Sequence, residues 1–229
     1  MIDDRILKLI DKDAFDKIQN LKVLIVGVGG VGGYALEALV RSGVLNITII
    51  DKDKIEESNL NRQIISFKSN ITRSKVEEAK IRALNIRSDA NIIAIEKFLT
   101  KDNLIDTLNN IKYDYIIDAC DNVTVKVELI DYALKNSINI ISCVGTGNRF
   151  NPEELEITTL NKTYNDPLAK VMRKILKERH IKDKVTVCWS KELPLKIDSR
   201  TPGSMIFVPA SAGILIASYI IRKEINKWV

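Results

Sequence analysis

The stretch Leu21-Lys22-Val23-Leu24-Ile25-Val26-Gly27-Val28-Gly29-Gly30-Val31-Gly32 passes from a β-branched, apolar run straight into glycines. A short apolar run bounded by glycine predicts a parallel strand buried on both faces, over residues 21–26. The glycines permit a tight turn and a close approach of backbone to phosphate, and the helix expected over residues 31–41 offers unpaired N–H groups at its start. Asp51 closes a second expected strand, residues 46–50, where a carboxylate can accept hydrogen bonds from a ribose. Gly27, Gly29, Gly30, Gly32 and Asp51 are therefore candidate nucleotide-binding residues. On spacing alone the nucleotide is NAD(P), FAD or ATP, or the glycines serve only a turn.

Outward from this segment the patterns alternate. A helix is expected over residues 13–19, and after the glycines a helix over 74–85, strands over 91–95 and 113–118, a helix over 123–136 and a strand over 139–144. This succession predicts an α/β fold with a doubly wound, mostly parallel, Rossmann-like sheet. Beyond Gly145 an alternating strand (154–161), a basic helix (167–179) and a further strand (185–190) are expected. Residues 191–204, polar and holding two prolines, read as a mobile loop or crossover, and a last helix covers 210–223. The chain is read as one domain: an N-terminal helical segment (1–20), a nucleotide-binding core (21–150) and a substrate-side extension of strands and helices (151–229).

The 229 residues, 45% of them hydrophobic, suffice for one substantial core. The longest apolar segment, 205–221, is interrupted by Pro209, Ser211, Gly213, Ser218 and Tyr219 and falls short of the roughly 18 apolar residues of a membrane span. Residues 1–12 are charged and lack the features of a secretory signal, so a cytoplasmic location is expected. Cys120, Cys143 and Cys188 form no C-x-x-C pair, which argues against a disulfide framework and against structural zinc. A formal net charge of +5 is compatible with an RNA partner, and equally with a lysine-rich genome composition.

After Asp51 come Asp53, then Ser58-Asn59-Leu60-Asn61-Arg62-Gln63, then Lys75 at the start of a helix. Arg62 and Lys75 supply cations where a triphosphate would extend, and cations there stabilise charge on departing pyrophosphate. A dinucleotide needs no such clamp. Asp118-Ala119-Cys120-Asp121-Asn122 ends another expected strand, so both carboxylates are expected at the ligand-binding edge of the sheet. Asp121 is read either as an oxygen ligand for Mg²⁺ or as the cap of the helix from Val123. Cys120 and Cys143 read as small buried hydrophobes, leaving Cys188 as the one plausible nucleophile. His180 reads as a charge at a helix C-terminus. Lys170, Arg173, Lys174, Lys177 and Arg179 read as a solvated face or as an RNA-backbone contact.

Together these motifs resemble the ubiquitin-activating-enzyme-like superfamily that includes the ThiF and MoeB adenylyltransferases. The tail, with Gly145-Thr146-Gly147-Asn148-Arg149, Pro152, Lys162-Thr163, Asp166-Pro167-Leu168-Ala169, Ser190-Lys191-Glu192, Gly203-Ser204 and Phe207-Val208-Pro209, is similar to that of the tRNA threonylcarbamoyladenosine dehydratase branch. The sulfur-carrier branch usually carries two C-x-x-C pairs, which this chain lacks. The resemblance implies an ATP-dependent, cyclising dehydration of a modified tRNA adenosine through an acyl-adenylate, with ATP and Mg²⁺ as cofactors. It implies ATP contacts from the glycine loop, Asp51, Asn59, Arg62, Gln63, Lys75, Asp121 and Asn122, with Asp121 on the metal and Arg62, Lys75 and Asp121 catalytic. Arg5 matches an arginine that reaches into the neighbouring site of a homodimer. Lys170, Arg173, Lys174 and Lys177 become candidate tRNA contacts, and a sulfur-transfer or redox partner protein is possible on the same grounds. The competing readings are an adenylyltransferase acting on a ubiquitin-like sulfur carrier, an NAD(P)-dependent oxidoreductase, and a non-catalytic nucleotide sensor.

Overall fold

The computed structural model describes residues 2–199 and 201–226, so Arg200, inside the expected crossover, and the last three residues lie outside the described residues. Along the chain the elements are α1 (Lys12–Asn20), β1 (Lys22–Val26), α2 (Gly32–Arg41), β2 (Asn46–Asp51), α3 (Lys75–Ile86), β3 (Asn91–Glu96) and α4 (Leu104–Leu108). They continue with β4 (Tyr115–Asp118), α5 (Val123–Lys135), β5 (Asn139–Cys143), β6 (Leu155–Thr159), α6 (Pro167–Glu178), β7 (Thr186–Ser190) and α7 (Phe207–Glu224). The α/β expectation is borne out, strand by strand, with boundaries shifted by a residue or two.

Alternation along β1 explains why it lies inside. Val23 and Ile25 enter one hydrophobic core and Leu24 and Val26 the other, so the strand is covered on both faces. The seven-stranded sheet has the order β3-β2-β1-β4-β5-β7-β6. Helices α1, α2, α3 and α7 cover one face, and α4, α5 and α6 the other. All neighbouring strands are parallel except β6, which pairs antiparallel with β7 and continues the sheet into the C-terminal segment.

Local sequence fixes the helix starts. The Asp11 carboxylate accepts from the Ala14 N–H at 2.8 Å to begin α1, and Asp166 accepts from the Ala169 N–H at 2.9 Å, with Pro167 following, to begin α6. The topology positions the site: β1 connects outward to β2 and β3, after which the chain returns to place β4 on the other side of β1. At such a reversal a crevice opens outside the carboxyl ends of the central strands.

Residues 191–204 are a crossover from β7 to α7, and its described part is pinned. Leu195 N–H donates to the Asn148 carbonyl (2.8 Å), Gly203 N–H to Asn148 Oδ1 (2.6 Å), and Asn61 Nδ2 to the Ser204 carbonyl (2.9 Å). No helix among the described residues is long and apolar enough to cross a membrane.

Candidate active site

A cavity of about 450 Å³ opens at the carboxyl ends of β1, β2 and β4. Its floor is the glycine loop. Gly27 sits at φ +89°, and a Cβ there would meet the Ala119 carbonyl oxygen at 2.7 Å. A Cβ on Gly32 would fall 1.8 Å from the Gly27 carbonyl oxygen, so these two glycines let β1 turn tightly into α2. Gly29 and Gly30 line the cavity itself. The Asp51 carboxylate accepts from the Val28 N–H (2.8 Å) and the Asp53 N–H (2.9 Å), which fixes it at the rim with acceptor capacity left for hydroxyl groups.

The opposite wall is the irregular segment between β2 and α3. Asn59 is buried, its Oδ1 accepting from the Glu56 N–H at 3.2 Å. Gln63 is buried against the glycine loop, and its Oε1 has no hydrogen-bond partner among the described residues. A buried acceptor without a protein partner in a cavity wall leaves a hydrogen-bonding position that a ligand or water can take. Arg62 is half-buried and is steadied by the Ser58 carbonyl (2.7 Å) and Asn61 Oδ1 (3.0 Å). Lys75, at the N-terminus of α3, is only 6% exposed and reaches Asp53 Oδ2 at 3.0 Å, so it is no ordinary solvated lysine. The structure thus brings Asn59, Arg62, Gln63 and Lys75 onto one cavity with Gly29, Gly30 and Asp51.

Across β1, the two carboxylates of the Asp118–Asn122 turn part company. Asp118 does not emerge at the edge: it is fully buried, with Lys126 Nζ 3.1 Å from both of its oxygens and 2.8 Å from the Cys143 carbonyl. Burial alone would lower the Lys126 pKa, but the Asp118 carboxylate holds the ammonium above its ordinary value. Asp121 is exposed and lines the cavity. The cap of α5 is Asn122, whose Oδ1 accepts from the Val125 N–H at 3.1 Å, so the alternative that Asp121 caps this helix is corrected. Among the described residues no cluster of three or more His, Cys, Asp or Glu could hold a metal alone. One carboxylate beside bound phosphate oxygens is the arrangement Mg²⁺ accepts, and Asp121 fits it.

Cys120, expected as a buried hydrophobe, also lines the cavity, with its thiol 3.1 Å from Asp118 Oδ1. Burial and that carboxylate push the thiol well above its ordinary pKa. Cys188, read as the plausible nucleophile, is fully buried under α7, its thiol raised by the hydrogen bond with Cys143 and by burial; it is a core residue. Lys97, Phe98 and Leu99 after β3, and Thr146, Ser204 and Pro209 from the tail, line the cavity and were missed. The end of every parallel strand at a switch point is a ligand edge, so the position of residues 97–99 was available as a signal.

Other expected site residues lie elsewhere. Arg5 is exposed on the N-terminal leader. On α6, Lys170, Lys174 and Lys177 point outward, but Arg173 is half-buried and donates to the carbonyls of Leu160 and Thr163, both at 3.1 Å, and to the Thr163 hydroxyl. Arg179 pairs with Glu128 at 2.7 Å. His180 follows α6 at φ +58°, exposed.

A family model described as the ThiF family matches residues 3–222. The tRNA threonylcarbamoyladenosine dehydratase of Bacillus subtilis is 34% identical over 229 residues, covering 93% of this chain and 90% of its own length. The crystal structure of the E. coli tRNA N6-threonylcarbamoyladenosine dehydratase in complex with AMP superposes with a TM-score of 0.90 at 32% identity, covering 96% of this chain and 92% of that one. The same E. coli enzyme in complex with ATP gives a TM-score of 0.90 at 31% identity, with the same coverage.

Proposed function

The chain belongs to the ThiF family, and on that premise we propose that it is an ATP-dependent tRNA threonylcarbamoyladenosine dehydratase. The observation that carries the reading is the single cavity in which Asp51, Gln63, Arg62, Lys75 and Asp121 meet the glycine loop. ATP bound along that loop would place its ribose at Asp51 and its phosphates against the α2 N-terminus and the two cations. The orphaned Gln63 Oε1 supports a bound ligand, because a nucleotide can bring or order the donor it lacks. Mg²⁺ at Asp121 would supply Lewis-acid charge neutralisation on the phosphates.

In this mechanism the carboxylate of the threonyl group on the tRNA base attacks the α-phosphorus, and the bond to pyrophosphate breaks. Arg62 and Lys75 neutralise the charge that develops on the departing oxygens. The carboxyl oxygen, a poor leaving group, now leaves as AMP when the neighbouring ureido group attacks the acyl carbon and sheds its proton. Nucleophile and electrophile belong to one molecule, so no protein nucleophile is required; the buried Cys188 and the raised Cys120 thiol agree with this. We take the extension from residue 151 onward as the substrate side; that Ser204 and Pro209 line the cavity supports this reading. Lys170, Lys174 and Lys177 present cations suited to RNA phosphates, with Arg173 turned toward the 160–163 turn. We take the active form as a homodimer in which Arg5 enters the neighbouring site.

An adenylyltransferase for a ubiquitin-like carrier would use the same ATP chemistry with a different acyl acceptor. Pyrophosphate release measured with each acceptor separates the two readings. Release that depends on threonylcarbamoylated tRNA supports the proposal, whereas release driven by a carrier protein's C-terminus and indifferent to tRNA refutes it.

A further inference from the structure

The N-terminal leader is held by one ion pair that spans the sequence. Arg87, just past the end of α3, donates through Nη1 and Nη2 to the two oxygens of Asp3 at 2.6 and 2.7 Å. The guanidinium side chain is 2% exposed and Asp3 19%, so the fork is desolvated rather than a loose surface contact. Arg87 Nε also lies 3.2 Å from Asp89. The Arg87 hydrogen bonds hold the Asp3 carboxyl below its ordinary range, and the Asp3 bonds hold Arg87 above its own. Beyond the clamp the leader turns back on itself, with Leu7 N–H to the Asp3 carbonyl (2.9 Å) and Ile10 N–H to the Ile6 carbonyl (3.0 Å), and Ile10 is buried in the core. Arg5 stands exposed between these two anchors.

The position of the clamp matters. Lys75, at the start of α3, lines the cavity at the carboxyl edge of the sheet, and the twelve residues of α3 carry the chain to the opposite edge, where β3 begins. At about 1.5 Å per residue this is a separation of about 18 Å. Arg5 is two residues from Asp3, at most about 7 Å of chain. The clamp therefore ties Arg5 to the amino edge, and Arg5, exposed there, is not among the residues that line its own cavity.

We infer that the Asp3–Arg87 pair is a positioning device that presents Arg5 to the ATP site of a second copy of this chain. The inference rests on the proposed homodimer with a shared site, and the experiment distinguishes the two. First, Arg5→Ala and Arg62→Ala chains are mixed and allowed to exchange subunits. A site built from two chains regains activity in the mixed dimer, because one of its two sites then holds both arginines. No recovery would overturn the shared site, and the positioning role with it. Second, Asp3→Asn is measured alone and in the Arg5→Ala background. Alone it lowers kcat about tenfold, a share of the loss expected when a charge donor is misplaced, with the KM for ATP within about twofold. In the Arg5→Ala background it adds nothing, because it acts through Arg5. The charge-swapped pair Asp3→Arg/Arg87→Asp recovers much of the loss. An unchanged kcat in Asp3→Asn, or a loss that multiplies with that of Arg5→Ala, would overturn the positioning role while leaving the shared site standing.

Discussion

Arg62 sets the most direct prediction at the residue scale. Its guanidinium rests on a carbonyl and an amide oxygen at the surface, so its removal leaves the fold nearly untouched. If it faces the departing pyrophosphate, Arg62→Ala lowers pyrophosphate release about 10²–10³-fold with an unchanged circular dichroism spectrum; release within a fewfold of the parent would remove that role. Cys188→Ala, by contrast, keeps its turnover and loses only roughly 1 kcal/mol in a urea titration, since a small buried side chain is shortened. A collapse of turnover at full stability would return the thiol to the chemistry. The sequence carried the first of these sites better than the second. An Asn, an Arg and a Lys that follow a carboxylate at the end of a strand constrain one another chemically. The burial of Cys188 depends on α7, more than fifteen residues away across a crossover, and nothing beside Trp189 in the chain announces it.

At the scale of elements, the join between β4, β5 and α5 depends on Lys126. Its ammonium ties Asp118 of β4 to the Cys143 carbonyl of β5, and Ser142 Oγ also donates to Asp118. Lys126→Met strands the buried Asp118 carboxylate and is expected to cost about 3–5 kcal/mol by chemical denaturation; a cost below about 1 kcal/mol would mean the pair contributes little to the join. Periodicity made most elements readable, because β1, β2 and β4 are buried on two faces and α5 and α6 on one. It failed where that physics is weak. The five-residue α4 is too short to show a period. Helix α7 begins at Phe207 although Pro209 argues for a later start, because the first turn of a helix has no intrahelical partner for its N–H groups and tolerates proline there. Asp118 looked like a surface carboxylate because its partner is eight residues on, inside the following helix.

For the whole molecule, the doubly wound sheet explains why a mid-chain strand, a following loop and the C-terminal crossover meet at one cavity. The topology was legible in the succession of strands and helices; the contribution of Thr146, Ser204 and Pro209 to the cavity was not, because it arises where the turn after β5 and the crossover from β7 to α7 meet, pinned together through Asn148. If α6 meets RNA phosphates, Lys174→Glu/Lys177→Glu weakens tRNA binding and flattens its dependence on log salt by about 1 to 2 units of slope. An unchanged slope would remove α6 from the RNA surface. The central claim is that this cavity uses ATP to take water out of a tRNA nucleoside, and mass spectrometry of nucleosides from threonylcarbamoylated tRNA incubated with the protein, ATP and Mg²⁺ tests it most directly. The account predicts a product lighter by one water, formed with one AMP per nucleoside converted and absent when ATP is withheld. An unaltered nucleoside under those conditions, from protein that binds ATP, would contradict it.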